Sequence, residues 1–138
     1  MQLDVRGPRF AATVTTVVLI AILLTGSGWL AAAQAVVFLA GAISARTMLY
    51  GVLYRKLVAP RLAKATEFEP SEPVRFAQGV GFVFAAVAAA GFLSGVPVVG
   101  FVAAAFALIA AFLNAAFGFC LGCEMYLLLR RAFGPRTA

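Results

Sequence analysis

The sequence has no histidine, only two cysteines, and five acidic residues against eleven basic ones. Without histidine the usual haem ligation is missing. No catalytic triad, phosphate-binding loop or acid pair suited to hydrolysis is present either. Zinc and iron–sulfur sites normally take four ligands, so the two cysteines could hold a metal only if a second copy or a partner completed the shell. No cofactor is expected. Charge is scarce as well: 12% of the residues are charged and 64% hydrophobic, with a mean hydropathy of +1.03. A water-soluble domain of this size has no core large enough to hide that fraction. The chain reads as an all-α integral membrane protein, a single domain over residues 1–138.

Four apolar stretches are candidate spans. The first runs from Phe10 to about Thr25, the second from about Gly28 to Ala45, and the third from Phe76 to Leu93. Each must be helical, because lipid offers backbone N–H and C=O groups no other partner. Trp29 opens the second span as an interfacial anchor would. The fourth stretch starts near Val96 and stays apolar to Leu129, a run of 34 residues with only Asn114 and Glu124 strongly polar. As one helix it would extend about 51 Å, against about 30 Å of hydrocarbon. Gly118 and Gly122 favour a break. The expectation is a span over about 97–117, a kink, and a short interfacial helix over about 121–131. The first span has the arginine-bearing start of a signal peptide, but the segment after it is equally apolar, so it is read as a retained span.

The basic residues set the orientation. Arg6 and Arg9 precede the first span. Arg46, Arg55, Lys56, Arg61, Lys64 and Arg75 lie between the second and third, and Arg130, Arg131 and Arg136 follow the fourth. The other two connections, "TGSG" and "SGVP", carry no charge. The positive-inside rule then puts both termini and the middle loop in the cytoplasm. Segment 46–64 alternates basic and apolar residues and is expected to lie as an amphipathic helix on the anionic inner leaflet, with Arg46, Arg55, Lys56 and Arg61 as a lipid or partner surface. The acidic, proline-bearing linker "TEFEPSEP" reads as a solvated turn.

The two halves share a pattern. Each starts Arg-Phe-Ala (residues 9–11 and 75–77), continues through an apolar run, a Ser-Gly turn and a second apolar run, and ends on Pro-Arg. Two spans per half keep both halves in the same orientation. A duplication over 9–61 and 75–136 predicts a four-helix bundle with a pseudo-twofold axis along the membrane normal. The halves differ where the second carries "FCLGCE" and the first, at "RTMLYGVLYRKL", has neither cysteine nor acid.

Cys120 and Cys123 are three apart, a spacing that two cysteines placed at random in the chain would show about once in seventy times. It places them one helical turn apart and is the spacing of dithiol motifs, in which one thiol attacks a disulfide or sulfane sulfur and its neighbour resolves the product. A cytoplasmic position would keep the pair reduced at rest. Inert packing and metal binding are the other readings, since an apolar setting quiets a thiol. Glu124 lies at i+4 from Cys120. An acid in an apolar run near the membrane is a functional candidate, either as a base for the thiol or as half of an ion pair with an arginine of 46–61.

The stretches "DVRGPRFAA", "TGSGWLAAAQAVVF" and "NAAFGFCLGCEMYLLLRR" resemble a family of small bacterial membrane proteins, the domain-of-unknown-function family numbered 4395. The likeness covers nearly the whole chain, and Phe-Cys-Leu-Gly-Cys-Glu is its most specific part. The resemblance implies the bacterial cytoplasmic membrane. Because family members tend to be encoded beside thioredoxin-like proteins and sulfurtransferases, it also implies thiol or sulfur chemistry with such a cytoplasmic partner. Two functions follow. In one, Cys120 and Cys123 exchange electrons or sulfur with the partner while Glu124 assists proton movement. In the other, the chain is a non-catalytic anchor or small transporter component docking a partner through 46–64. Partners expected are the lipid bilayer and that protein, with no nucleic acid and a homo-oligomer left open.

Overall fold

Each of the two uncharged connections holds a glycine that turns one helix into the next. Gly26 (φ 63°) donates its N–H to the Ile22 carbonyl and ends α1, Arg6–Thr25. The Ser27 hydroxyl then accepts the Leu30 N–H at 3.2 Å and starts α2, Gly28–Ile43. In the second half, α4 (Ser71–Leu93) turns through Gly95 (φ 86°) into α5 (Pro97–Phe117), which has proline in its first turn. The structure, a computed structural model, describes residues 2–4, 6–44, 48–61, 68–118 and 120–133.

Helices α1, α4 and α5 are each long and apolar enough to cross a membrane, and α2, with 16 residues, is a shorter apolar helix. Together they form an all-helical, multi-span membrane fold. Large apolar side chains such as Val17, Val36, Phe106 and Ile109 stand exposed on its outer surface, as contact with lipid requires.

α2 lies mainly along α4 and α1 mainly along α5. α4 and α5 also meet, while α1 and α2 touch little. The core between them is built from Leu19, Ile22, Ala31, Ala88, Ala103 and Ala104. Small residues let the helices approach, since lipid supplies no hydrophobic drive between them. One such approach joins α2 to α4: a Cβ on Gly41 would meet the Gln78 side-chain oxygen at 2.7 Å.

Both long helices that open a half begin earlier than the hydropathy predicts. α1 starts at Arg6 rather than Phe10, and α4 at Ser71 rather than Phe76, so Arg9 and Arg75 are helical. Each reaches the C-terminal end of a helix in the other half. Arg75 donates to the Ala42 and Ile43 carbonyls of α2 at 3.3 and 2.7 Å, and Arg9 donates to the Ala115 carbonyl of α5 at 3.4 Å. Those last carbonyls have no partner within their own helix, and the dipole there attracts a cation. Aromatic contacts follow the same arrangement. Phe10 of α1 packs on Tyr54 with centroids 5.8 Å apart, and Phe76 of α4 packs on Tyr126 at 5.7 Å.

Two local expectations are corrected. Part of the acidic linker is not a free turn: β2 (Phe68–Pro70) pairs antiparallel with β1 (Gln2–Asp4), Leu3 opposite Glu69. The pairing satisfies backbone groups that the turn reading left to water, and ties the start of α1 to the start of α4. The described part of segment 46–64, residues 48–61, is not one regular amphipathic helix. α3 covers only Leu49–Leu53, a π-helical turn follows at Tyr54–Val58 and a 3₁₀ turn at Ala59–Arg61. Tyr54, 3% exposed, is drawn onto Phe10 and Gly7 of α1, and the helical repeat gives way around that anchor.

Candidate functional site: a cysteine pair over an intramembrane cavity

α5 ends where the sequence predicts. Gly118 adopts the left-handed conformation (φ 68°) that closes a helix, and its N–H donates to the Asn114 carbonyl at 2.9 Å. The chain then restarts as α6, Leu121–Phe133. Cys120 is the residue before that helix and occupies its N-cap position. Its sulfur accepts the backbone N–H of Cys123 at 3.2 Å, the role a serine or aspartate oxygen plays at an ordinary cap, while its carbonyl accepts the Glu124 N–H at 3.0 Å. The two cysteines are joined as a disulfide with Cα atoms 5.2 Å apart. The oxidised pair is thus compatible with an intact first turn of α6.

What holds α6 in place is the glycine between the cysteines. A Cβ on Gly122 would fall 2.5 Å from the Ala77 Cβ and 2.6 Å from its Cα, so α6 lies directly against α4 at this point. Cys123 packs against Met48 and Val74, and Tyr126 reaches Phe76 one turn further along. Arg130 sits over the Tyr126 ring at 6.0 Å and Arg131 follows it in the last turn of α6, where positive charge suits the helix dipole.

Both cysteines line a cavity of about 560 Å³ bounded mainly by α1, α4, α5 and the start of α6. Its walls are largely apolar, with Phe38, Phe84 and Phe106 prominent. Four polar side chains also face it: Arg9, Thr15, Gln78 and Asn114. Arg9 stands beside Gly118, two residues before Cys120: its guanidinium atoms lie 3.8–3.9 Å from where a Cβ on Gly118 would be.

The residues singled out in the sequence are distributed unevenly around this centre. Cys120 and Cys123 are half-buried and form it. Glu124 sits in the first turn of α6, is exposed, and does not line the cavity. Arg55, Lys56 and Arg61 are exposed on the turns after α3, and Arg46 lies outside the described residues. Gln34 is almost fully buried, and its oxygen accepts the Tyr50 hydroxyl at 2.7 Å, a hydrogen bond between α2 and α3. Burial pushes the Tyr50 hydroxyl above its ordinary value, while the bond to Gln34 pulls weakly the other way. Among the described residues no group of three or more His, Cys, Asp or Glu side chains gathers to hold a metal.

Arg9 is the residue that sequence reasoning missed as part of a site. Its charge served to orient the chain. The available signal was its position in the repeated Arg-Phe-Ala start, whose counterpart Arg75 also caps a helix of the other half.

Fold and site together define a multi-span helical membrane protein that carries a Cys-x-x-Cys at the head of a short helix beside an internal cavity. The chain matches the family described as Domain of unknown function (DUF4395) over residues 3–131 and belongs to that family. No curated protein and no solved structure matches it significantly.

Proposed function

We propose that the protein is a membrane thiol redox or sulfur-transfer component whose working groups are Cys120 and Cys123. One observation carries this reading. The Cys120 sulfur sits at the N-terminus of α6, bonded to the Cys123 sulfur and accepting the Cys123 N–H. When the disulfide opens, that N–H and the positive end of the helix favour negative charge on Cys120, which makes it the attacking thiol. Cys123, packed against Met48 and Val74, is the resolving thiol. In an exchange cycle a partner thiolate attacks one sulfur of the disulfide, the S–S bond breaks, and a mixed disulfide forms. A second partner thiolate releases the reduced pair.

The pair faces the cytoplasm in this reading, because all eleven basic residues fall in the termini, the middle connection and their helix ends. A thioredoxin-like or sulfurtransferase protein is the partner, and the exposed Arg55, Lys56 and Arg61 are its docking surface or a contact with anionic lipid. Glu124, exposed beside Cys123, exchanges protons between the pair and water. The membrane is the bacterial cytoplasmic membrane. The duplication of 9–61 and 75–136 belongs to the same reading. It is supported by the matched caps of Arg9 and Arg75 and the matched contacts of Phe10 and Phe76.

The test is trapping. A Cys123→Ser variant, expressed in cells, should accumulate a mixed disulfide or persulfide on Cys120 that mass spectrometry identifies. If neither species forms, and the wild-type pair stays fixed as a disulfide against cytoplasmic dithiols, the pair is structural.

A further inference from the structure

The cavity beneath the disulfide is unused by exchange with a cytoplasmic partner, yet its composition is selective. Its volume of about 560 Å³ falls in the range of small-molecule sites, roughly 300–1,000 Å³. Phe106 and Ile109 line it and are also more than half exposed on the outer face of α5. The cavity therefore has a mouth at the surface that meets lipid, and a ligand can enter sideways from the bilayer. Apolar walls formed by Phe38, Phe84 and Phe106 suit a flat hydrophobic ring. Arg9, Gln78 and Asn114 supply hydrogen-bond donors around it. A free sulfur oxyanion would have to leave water for a mostly apolar site with one cation, whereas a neutral ring with two carbonyls would not.

We propose that this cavity binds a lipid-soluble quinone and that the reduced Cys120–Cys123 pair passes its electrons to it. This rests on the redox reading of the pair given above. The reaction balances without another reagent. Two S–H bonds break and one S–S bond forms. The two electrons and two protons released convert the two carbonyls of the quinone into the two hydroxyls of the quinol. Arg9, the cation lining the cavity beside Gly118, stabilises negative charge on the quinone oxygen before the protons arrive. The protein then drains electrons from a thiol partner in water into the membrane's quinone pool.

The experiment uses the full chain in lipid nanodiscs, reduced with dithiothreitol and freed of it. Reoxidation of the pair is followed by thiol counting after addition of either a fully ring-substituted decyl-benzoquinone, which has no open position for thiol addition, or oxidised glutathione. Quinol formation is read from its absorbance. The proposal expects one quinol per disulfide, and binding of one quinone per oxidised chain. Ile109→Trp, which narrows the mouth from the lipid side, should slow the quinone reaction by about tenfold or more. It should leave the glutathione reaction unchanged, which also shows that the variant is folded around its thiols. Reoxidation by glutathione with none by quinone overturns the quinone proposal and leaves the redox reading standing. Reoxidation by neither overturns both. Equal quinone rates in wild type and Ile109→Trp, with no saturable binding to the wild type, place the reaction outside the cavity and overturn the assignment.

Discussion

Arg75 reaches from the first turns of α4 to the last residue of α2 and donates to the Ile43 carbonyl at 2.7 Å. A second bond runs to the Ala42 carbonyl at 3.3 Å. The positive charge so placed meets the negative end of the α2 dipole where no backbone donor remains. Arg9 does the same for α5, through the Ala115 carbonyl at 3.4 Å. α4 is thus latched to α2 and α1 to α5 at the end of the bundle that carries the cysteines, and each latch predicts a cost when removed.

Arg75→Met keeps the length of the side chain and removes both bonds. It should destabilise the protein by about 1.5–3 kcal/mol, the range for a hydrogen bond to a charged group. Arg9→Met removes one longer bond and should cost less. Unfolding in mixed detergent, followed by circular dichroism, gives the order. Equal stability of Arg75→Met and wild type contradicts the capping argument.

Gly122→Val would drive a side chain into Ala77, where even a Cβ lies 2.5 Å from its neighbour. α6 has to lift from α4, and the expected loss is about 1–3 kcal/mol. The same displacement takes Tyr126 off Phe76. A cysteine cross-link engineered between Ala77 and Met125 should form less readily in this background than in the parent chain. Undiminished cross-linking shows that α6 does not depend on the glycine.

Reduced Cys120 and Cys123 should differ in reactivity. With the Cys123 N–H and the α6 N-terminus on its sulfur, Cys120 should alkylate about tenfold faster than Cys123 at neutral pH. Iodoacetamide labelling of the two single-cysteine variants measures the ratio. Equal rates contradict the assignment of Cys120 as the attacking thiol, and a faster Cys123 exchanges the two roles.

The Tyr50–Gln34 pair gives a pH dependence. Burial raises the Tyr50 hydroxyl above its ordinary value of 10.0. The folded state therefore holds this proton more tightly than the unfolded chain does. Its contribution to stability is complete below pH 10 and is lost as the pH rises through the folded value. Tyr50→Phe removes that dependence and takes the Gln34 oxygen's partner, in a side chain whose nitrogen already has none among the described residues. The expected cost is about 1–3 kcal/mol at neutral pH. Denaturation of both proteins between pH 8 and 11 checks both statements.

The helix breaks at Gly26, Gly95 and Gly118 were legible from sequence because each answers to local chemistry: a residue that can take positive φ between two apolar runs. The end of α5 at Phe117 and the start of α6 at Leu121 follow for the same reason. The cysteine pair was legible from spacing alone. What escaped depends on partners far away in the chain. Hydropathy placed the start of α1 after Arg9 because arginine is hydrophilic, and it could not register that this guanidinium finds the end of α5. The pairing of Leu3 with Glu69 joins two segments without strand patterning. The break in the α-helical repeat between Leu49 and Arg61 reflects the pull of α1 on Tyr54. Glu124, one backbone hydrogen bond from Cys120, had the predicted helical spacing, yet it is exposed and does not line the cavity that the cysteines line. The cavity itself exists only once four helices are assembled.

The side of the membrane from which the sulfur pair can be reached is directly measurable. Intact cells and inverted membrane vesicles, each treated with a membrane-permeant reductant, are exposed to a bulky maleimide that cannot cross the bilayer. The basic residues predict labelling of Cys120 and Cys123 in inverted vesicles and none in intact cells. Labelling of either cysteine in intact cells, with none in inverted vesicles, would reverse the orientation and remove the cytoplasmic exchange partner.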